Sequence, residues 1–261
     1  MIIYRKGWLR GANVWFDDQP TETKVDVIRY VHRKEPVVGA QNEKVYTLVI
    51  DLTKAPDDLL ASMTKDTRYE IRRAATKDKI TYRWWTTEMA EPLARFVEFY
   101  NWVAALKNIP PAPAAYLKVL ADAGGLDLSC AVDAEGKDLV WHAYYRGPRR
   151  AQLLHSGSSF RGSTDNAFRN FIGRANRYLH WQDILRFKEA GLVAYDFGGW
   201  YAGNSHQEFL RVNQFKEEFG GTVVREFNCR QLITIKARLA DAVVSRIRRR
   251  SEWVASARQN I

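Results

Sequence analysis

The sequence predicts an α/β chain of the α+β kind, a mixed, mainly antiparallel sheet flanked by helices. Three observations predict it. Residues 126–155 hold three short apolar runs, 126–132, 139–146 and 150–155, joined by Asp133-Ala134-Glu135-Gly136 and Gly147-Pro148. Those joints carry the turn chemistry of an antiparallel meander. Residues 164–179 place Ala167, Phe168, Phe171, Ile172, Ala175, Tyr178 and Leu179 at helical spacing, which demands a buried stripe. From residue 80 onward the predicted elements run β-α-α-β-β-β-α-β-α-β-β, so strands and helices share one core.

Residues 1–53 are strand-forming: 8–16, 25–33 and 45–52, where Leu48, Ile50 and Leu52 share a face. Asp51 to Asp57 turns the chain into a basic amphipathic helix over 56–76. Leu59, Leu60, Met63 and Ile71 form its apolar side, and Lys65, Arg68, Arg72, Arg73 and Lys77 the other. A strand at 80–85 precedes a helix at 88–106, striped by Leu93, Phe96, Val97, Tyr100 and Val103. Ile109-Pro110-Pro111-Ala112-Pro113 is a stiff connection to a short helix at 114–123. After the meander and the 164–179 helix come a second helical stretch at 181–190 and a strand at 193–197. A helix at 206–218 follows, whose Ser205 and Glu208 have capping-box spacing. Strands at 222–227 and 230–236 lead to a terminal helix over 237–256, with Arg246, Arg248, Arg249 and Arg250 near its exit. The natural divisions are 1–77, a reduced N-terminal lobe; 78–236, the main lobe; and 237–261, a basic helix and tail.

At 261 residues and 46% hydrophobic content the chain can bury a real core, and nine Trp, twelve Tyr and twelve Phe exclude a disordered protein. A net charge of +10 favours polyanionic partners, whether nucleic acid, a phosphorylated cofactor or an acidic membrane surface. Equally, it describes an Arg-rich solvated surface, so charge alone selects no ligand. Cys130 and Cys229 sit in apolar, strand-like surroundings without a partner Cys or metal-ligand spacing, which predicts buried free thiols in a reducing compartment. The first residues lack the apolar run of a signal peptide, and nowhere do eighteen apolar residues run together, so a cytosolic location is expected. No His, Asp, Glu or Cys cluster has metal spacing, so no metal is expected. His155 precedes Ser156-Gly157-Ser158-Ser159, but the Gly-x-Ser-x-Gly elbow of a serine hydrolase is missing.

The densest chemistry lies in Tyr195-Asp196-Phe197-Gly198-Gly199 and in Phe215-Lys216-Glu217-Glu218-Phe219-Gly220-Gly221. A strand ends in a glycine-opened loop, and the next helix carries a lysine. That arrangement suggests a groove at a strand's carboxyl end and acyl transfer within it. Forming an amide from an ester or thioester needs a neutral amine, removal of its proton, and stabilisation of an oxyanion. Lys216 is the candidate for the oxyanion. Asp196 either takes the amine's proton or caps the glycine turn. His180 is either the general base, since histidine titrates near neutrality, or a structural helix-end residue. Phe215, Tyr195, Trp200 and Tyr201 are the groove-lining candidates, and Trp84 and Trp85 either stack on bases or line the acceptor groove. Arg161-Gly162-Ser163-Thr164-Asp165-Asn166 opens a helix, with Arg161, Gly162 and Ser163 as phosphate contacts and Asp165 as an ordinary cap. Arg68, Arg72, Arg73, Arg248 and Arg249 belong to basic segments that either face solvent or meet a phosphate backbone.

Lys65-Asp66-Thr67-Arg68-Tyr69-Glu70-Ile71-Arg72-Arg73-Ala74 resembles the K-x-x-R-x-x-I-R-R-A helix of Fem-type aminoacyl transferases and their GNAT-like relatives. Asn176-Arg177-Tyr178-Leu179-His180-Trp181, the Tyr195–Gly199 stretch and the Phe215–Gly221 stretch follow in that family's order, so the resemblance spans about residues 45–227. The element order after residue 80 is also that of the GNAT acyltransferases. The resemblance implies a GNAT-like fold with a reduced N-terminal GNAT-like lobe, since typical Fem enzymes are longer and have two complete lobes. It implies transfer of an aminoacyl group from aminoacyl-tRNA to the amine of a small molecule or peptide, with no tightly bound cofactor. It also places the lysine of the Phe-Lys motif, here Lys216, near the acyl ester. Other GNAT proteins use acyl-coenzyme A, the alternative donor. The Arg161–Asn166 loop has one glycine where the usual R/Q-x-x-G-x-G/A loop has more, which counts against coenzyme A. A non-catalytic protein that binds RNA or a membrane surface is the rival of another class.

Overall fold

The structure, a computed structural model, describes residues 1–22 and 24–244. The chain forms two compact units, one of residues 46–224 and one of residues 1–45 with the described residues from 225 onward. These cut the chain at 45 and 224, where the sequence suggests 77 and 236.

The larger unit is built on a sheet ordered β4-β9-β8-β7-β6-β5. Its strands are β4 (Gln41–Asp51), β5 (Thr81–Trp85), β6 (Leu126–Val132), β7 (Asp138–Arg146), β8 (Arg150–Ser158) and β9 (Ala194–Gly199). The β8–β9 pair is parallel, and the other neighbours in this sheet are antiparallel. The predicted mixed, mainly antiparallel sheet is therefore present, and the meander turns fall where their glycines and Pro148 sit. Along β7 nearly every residue is buried because both faces are covered. Val140, His142 and Tyr144 face α5 (Asn166–Glu189), whereas Trp141 packs against Phe96 of α3 (Ala90–Lys107).

Three helical predictions change. The helix predicted over 56–76 is two, α1 (Pro56–Ala61) and α2 (Lys65–Thr76), because the Ser62 hydroxyl closes the first on the Leu59 carbonyl (2.7 Å) and Thr64 caps the second. The two stretches predicted at 164–179 and 181–190 are one helix, α5, since no glycine or proline separates them and His180, Trp181 and Asp183 continue the buried stripe. The helix predicted at 206–218 is α6 (Gln207–Glu217), but no capping box forms: the Ser205 hydroxyl meets the Tyr201 hydroxyl, and Glu208 pairs with Arg161. A short helix, α4 (Ala114–Asp122), follows the proline connection, where α3 is closed by Asn108 in the left-handed conformation.

In the smaller unit, β1 (Ile2–Lys6) and β2 (Leu9–Trp15) form a hairpin about Gly7 and Trp8. β2 runs parallel to β3 (Val27–Arg33), and β3 pairs antiparallel with β10 (Thr222–Leu232). Ala12, Val14, Val25, Ile28, Tyr30 and Cys229 fill its core. Two strands are expected at 222–227 and 230–236; a single strand with an irregularity between Phe227 and Cys229 replaces them. Helical turns begin at 235 and are described to 244. The rest of the predicted terminal helix, with Arg246, Arg248, Arg249 and Arg250, lies outside the described residues.

Candidate active site

Strand β9 ends in a turn that only glycine can make. Gly198 has φ +69°, and a Cβ there would lie 2.8 Å from the Leu153 carbonyl oxygen. Asp196, fully buried, ties this turn down. Its Oδ1 accepts from the Gly198 N–H at 2.7 Å and from the Thr47 hydroxyl, and its Oδ2 accepts from Arg150 Nε at 3.0 Å and Nη2 at 2.6 Å. With its acceptor sites occupied by fixed donors, the carboxylate has the geometry of the turn cap rather than that of a proton acceptor for substrate.

The Gly198 and Gly199 carbonyls then point at α6, where Lys216 donates to both, to Gly198 O at 3.0 Å. Lys216 is 8% exposed, and burial brings its pKa down from 10.5 to about 8 despite the Asp196 carboxylate nearby. It forms part of the wall of a cavity of about 1090 Å³, which also includes His180, Phe197, Phe215, Asn176, Arg161 and Ser163. Lys107, Arg161, Arg169, Arg211 and Lys216 supply five cations to this lining against one carboxylate, Glu208. Such a wall attracts an anionic ligand.

His180, on α5, meets the same cavity, and a chain of hydroxyls behind it ends at a buried carboxylate. His180 Nδ1 lies 2.7 Å from the Tyr195 hydroxyl, which lies 2.8 Å from the Tyr144 hydroxyl, which donates to Asp183 Oδ2 at 2.7 Å. Each tyrosine has one proton to give. Tyr144 spends its proton on Asp183, Tyr195 spends its own on Tyr144, and Tyr195 therefore accepts from the Nδ1–H of His180. That leaves the lone pair on Nε2. Burial, reinforced by His142, Lys216 and Arg177, holds the His180 pKa well below 6.5, so the ring is neutral. Burial likewise keeps Tyr144 and Tyr195 far above 10 and protonated. His142 completes the cluster, its Nδ1 at 2.8 Å from Asp183 Oδ2 and its Nε2 at 3.1 Å from Asn176 Oδ1.

Arg177 joins three of the four segments that carry the family resemblance, 65–74, 176–181 and 215–221. Its guanidinium pairs with Glu70 of α2 at 3.1 Å and with Glu218 at 2.6 Å, and lies 5.0 Å from the centroid of the Phe215 ring. The Thr64 N–H also donates to the Glu218 carbonyl at 2.9 Å. Arg177, Glu70, Glu218, Tyr144, Asp183 and Arg150 are absent from the sequence-derived candidates. Only the motif spacing pointed toward Arg177 and Glu218, and nothing local distinguishes Tyr144 or Asp183 from other core residues.

The remaining candidates disperse. Phe215 lines the cavity, whereas Tyr195 lies behind His180. Trp200 continues the β4–β9 pairing through its N–H to Tyr46 O (2.7 Å), and the Tyr201 backbone is held by Asn213. Trp84 and Trp85 lie on β5, at the far edge of the sheet; Arg186 covers Trp84 at 4.1 Å and Trp85 stacks on Trp141, so neither lines this cavity. Gly162 makes room for Trp102, which a Cβ would approach to 2.8 Å. Ser163 and Asp165 act as local caps, Ser163 Oγ for the Asp165 N–H and Asp165 for the Ala167 N–H. Arg68 closes on the Met63 carbonyl at 2.6 Å, Arg73 faces Asp78, and Arg72 is exposed. Arg248 and Arg249 lie outside the described residues. Among the described residues no group of three His, Cys, Asp or Glu side chains comes together as a metal site.

The sheet, its flanking helices and the groove at the end of β9 define a GNAT-like α+β fold. The fold matches that of FemX with a TM-score of 0.62 at 14% identity, over 84% of this chain and 75% of that one. It matches L-PGS from Bacillus licheniformis with a TM-score of 0.53 at 13% identity, over 94% of this chain and 84% of that one. No protein-family model and no curated protein matches the sequence. The resemblance drawn from four short segments thus extends to the fold.

Proposed function

We propose that this chain is a transferase that forms an amide by moving an aminoacyl group from aminoacyl-tRNA to the amino group of a small molecule or peptide. One observation carries the reading: a buried lysine ammonium and a neutral histidine share the wall of one cationic cavity. The likeness to FemX and L-PGS and the Fem-type motif segments support it. So does the start of α5, where the Asp165 carboxylate takes the Ala167 N–H and sets a negative charge at the helix N-terminus, unlike a loop that cradles a pyrophosphate.

In this reading the acceptor amine attacks the ester carbonyl, forming the C–N bond, and its proton passes to His180 Nε2. The carbonyl oxygen becomes an oxyanion beside Lys216. Two of the three ammonium N–H bonds are engaged by Gly198 O and Gly199 O, so the third is the donor for that oxyanion. Collapse breaks the C–O ester bond, and His180 returns the proton to the ribose oxygen that leaves. Lys216 is in this scheme the electrostatic stabiliser, His180 the base, and Asp196 a positioning residue that holds the turn bearing Lys216's acceptors.

The test is transfer of label from total charged tRNA to an amine acceptor by the purified chain, with acyl-coenzyme A as the parallel donor. Label transfer that ribonuclease abolishes is expected. Turnover insensitive to ribonuclease, or supported by acyl-coenzyme A alone, refutes the tRNA donor.

A further inference from the structure

The helical turns that begin at 235 in the smaller unit are mounted with their small and polar side inward. Thr234 Oγ1 donates to Asp26 Oδ1 at 2.8 Å, Lys236 Nζ pairs with Asp26 Oδ2 at 2.8 Å, Ala237 is buried, and Asp241 pairs with Arg230. These contacts fix the rotation of the helix. The opposite side therefore presents Ile235, Leu239 and Val243, at four-residue spacing and 74%, 64% and 56% exposed. An ordinary surface helix does the reverse, turning its aliphatic stripe to the core. Beside this stripe, Trp8 at the tip of the β1–β2 hairpin is 63% exposed, with the Lys236 ammonium 5.8 Å from its ring centroid.

Charge identifies the occupant. Arg5, Lys6, Lys236 and Arg238 are exposed in the same unit. A second copy of a chain with net charge +10 would set one cationic face against another. A nucleic acid would answer these cations and leave the aliphatic stripe in water. An anionic bilayer answers both, with acyl chains for Ile235, Leu239 and Val243, phosphates for the exposed lysines and arginines, and the headgroup layer for the Trp8 indole. No described helix is long and apolar enough to cross a membrane, so the segment would lie in the plane of the interface.

We propose that the Ile235–Leu239–Val243 stripe, with Trp8 beside it, is a docking surface for an anionic lipid bilayer. The inference is independent of the transferase reading, and its test reads no activity. The full chain is floated with vesicles of equimolar phosphatidylglycerol and phosphatidylcholine, and with phosphatidylcholine vesicles alone. Association with the anionic vesicles, weakened by salt, is expected. The Ile235→Glu/Leu239→Glu variant should lose at least about tenfold in partitioning. Both positions are exposed, so that variant should keep the wild-type thermal transition, and an exposed-residue control outside the stripe, Val38→Glu, should retain most of the binding. Equal partitioning of variant and wild type overturns the proposal, as does failure to float with anionic vesicles. A concentration-dependent dimer abolished by the same double substitution overturns it in favour of a second copy, and binding to RNA but not vesicles overturns it in favour of nucleic acid.

Discussion

Lys216→Met tests the electrostatics on which the proposed chemistry rests. Burial lowers the Lys216 pKa from 10.5 to about 8 in the folded chain. Below pH 8 both folded and unfolded chains hold the proton, and the fold carries the full penalty of a desolvated ammonium. Between pH 8 and 10.5 the unfolded chain binds the proton that the folded chain has released, so stability rises with pH through that window. At about 1.4 kcal/mol for each pH unit, the rise totals about 3 kcal/mol. Methionine has no proton to lose. It also leaves the Gly198 and Gly199 carbonyls without the ammonium, an offset of about 1–3 kcal/mol that does not vary with pH. Urea denaturation followed by tryptophan fluorescence, at steps from pH 7 to 10, measures both proteins. The wild-type-minus-variant difference should be flat up to about pH 8 and then climb. Over the same range wild-type turnover should fall as the ammonium deprotonates. Parallel stability curves would refute the argument, because they would mean that Lys216 is as well solvated folded as unfolded.

Asp196→Asn should lower stability by about 1–3 kcal/mol, since it replaces the charge-assisted bonds from Arg150 and sets an amide among the donors Gly198 N–H and Thr47; an unchanged denaturation midpoint with abolished turnover would restore Asp196 as the base. Tyr195→Phe removes the acceptor that orients His180 Nδ1, so kcat should fall about tenfold or more with little change in KM, and a wild-type kcat would sever the hydroxyl chain from the chemistry. Gly198→Ala combines φ +69° with a contact of 2.8 Å to backbone, so a loss of about 2 kcal/mol or more is expected in thermal denaturation, and wild-type stability there would show that the turn relaxes freely.

Features that depend on neighbours along the chain were legible in the sequence. The meander, the buried stripe of α5, the proline-stiffened connection and the lysine on the helix after β9 follow from turn chemistry and periodicity, and the structure keeps them, although β8 runs on to Ser158 and α5 to Glu189. Four segments carry the family resemblance, and the physical reason that three of them cohere is visible at Arg177. That one guanidinium holds Glu70, Glu218 and Phe215 together, so residues far apart in sequence are constrained by the same contact. Which candidates meet depends on contacts between distant parts of the chain. A hydrogen-bonding pattern separates the two readings of Asp196, and it appears only when Thr47 and Arg150 arrive from other strands. The tautomer of His180 depends on Tyr195, Tyr144 and Asp183, three residues that locally look like core. Three strands, β8, β7 and β6, separate Trp84 and Trp85 from β9, a distance set by strand order, and strand order is a non-local property. The outward stripe of Ile235, Leu239 and Val243 belongs with these. Its four-residue spacing announces an amphipathic helix, yet only the ion pairs of Asp26 and Arg230 decide that its apolar side faces out.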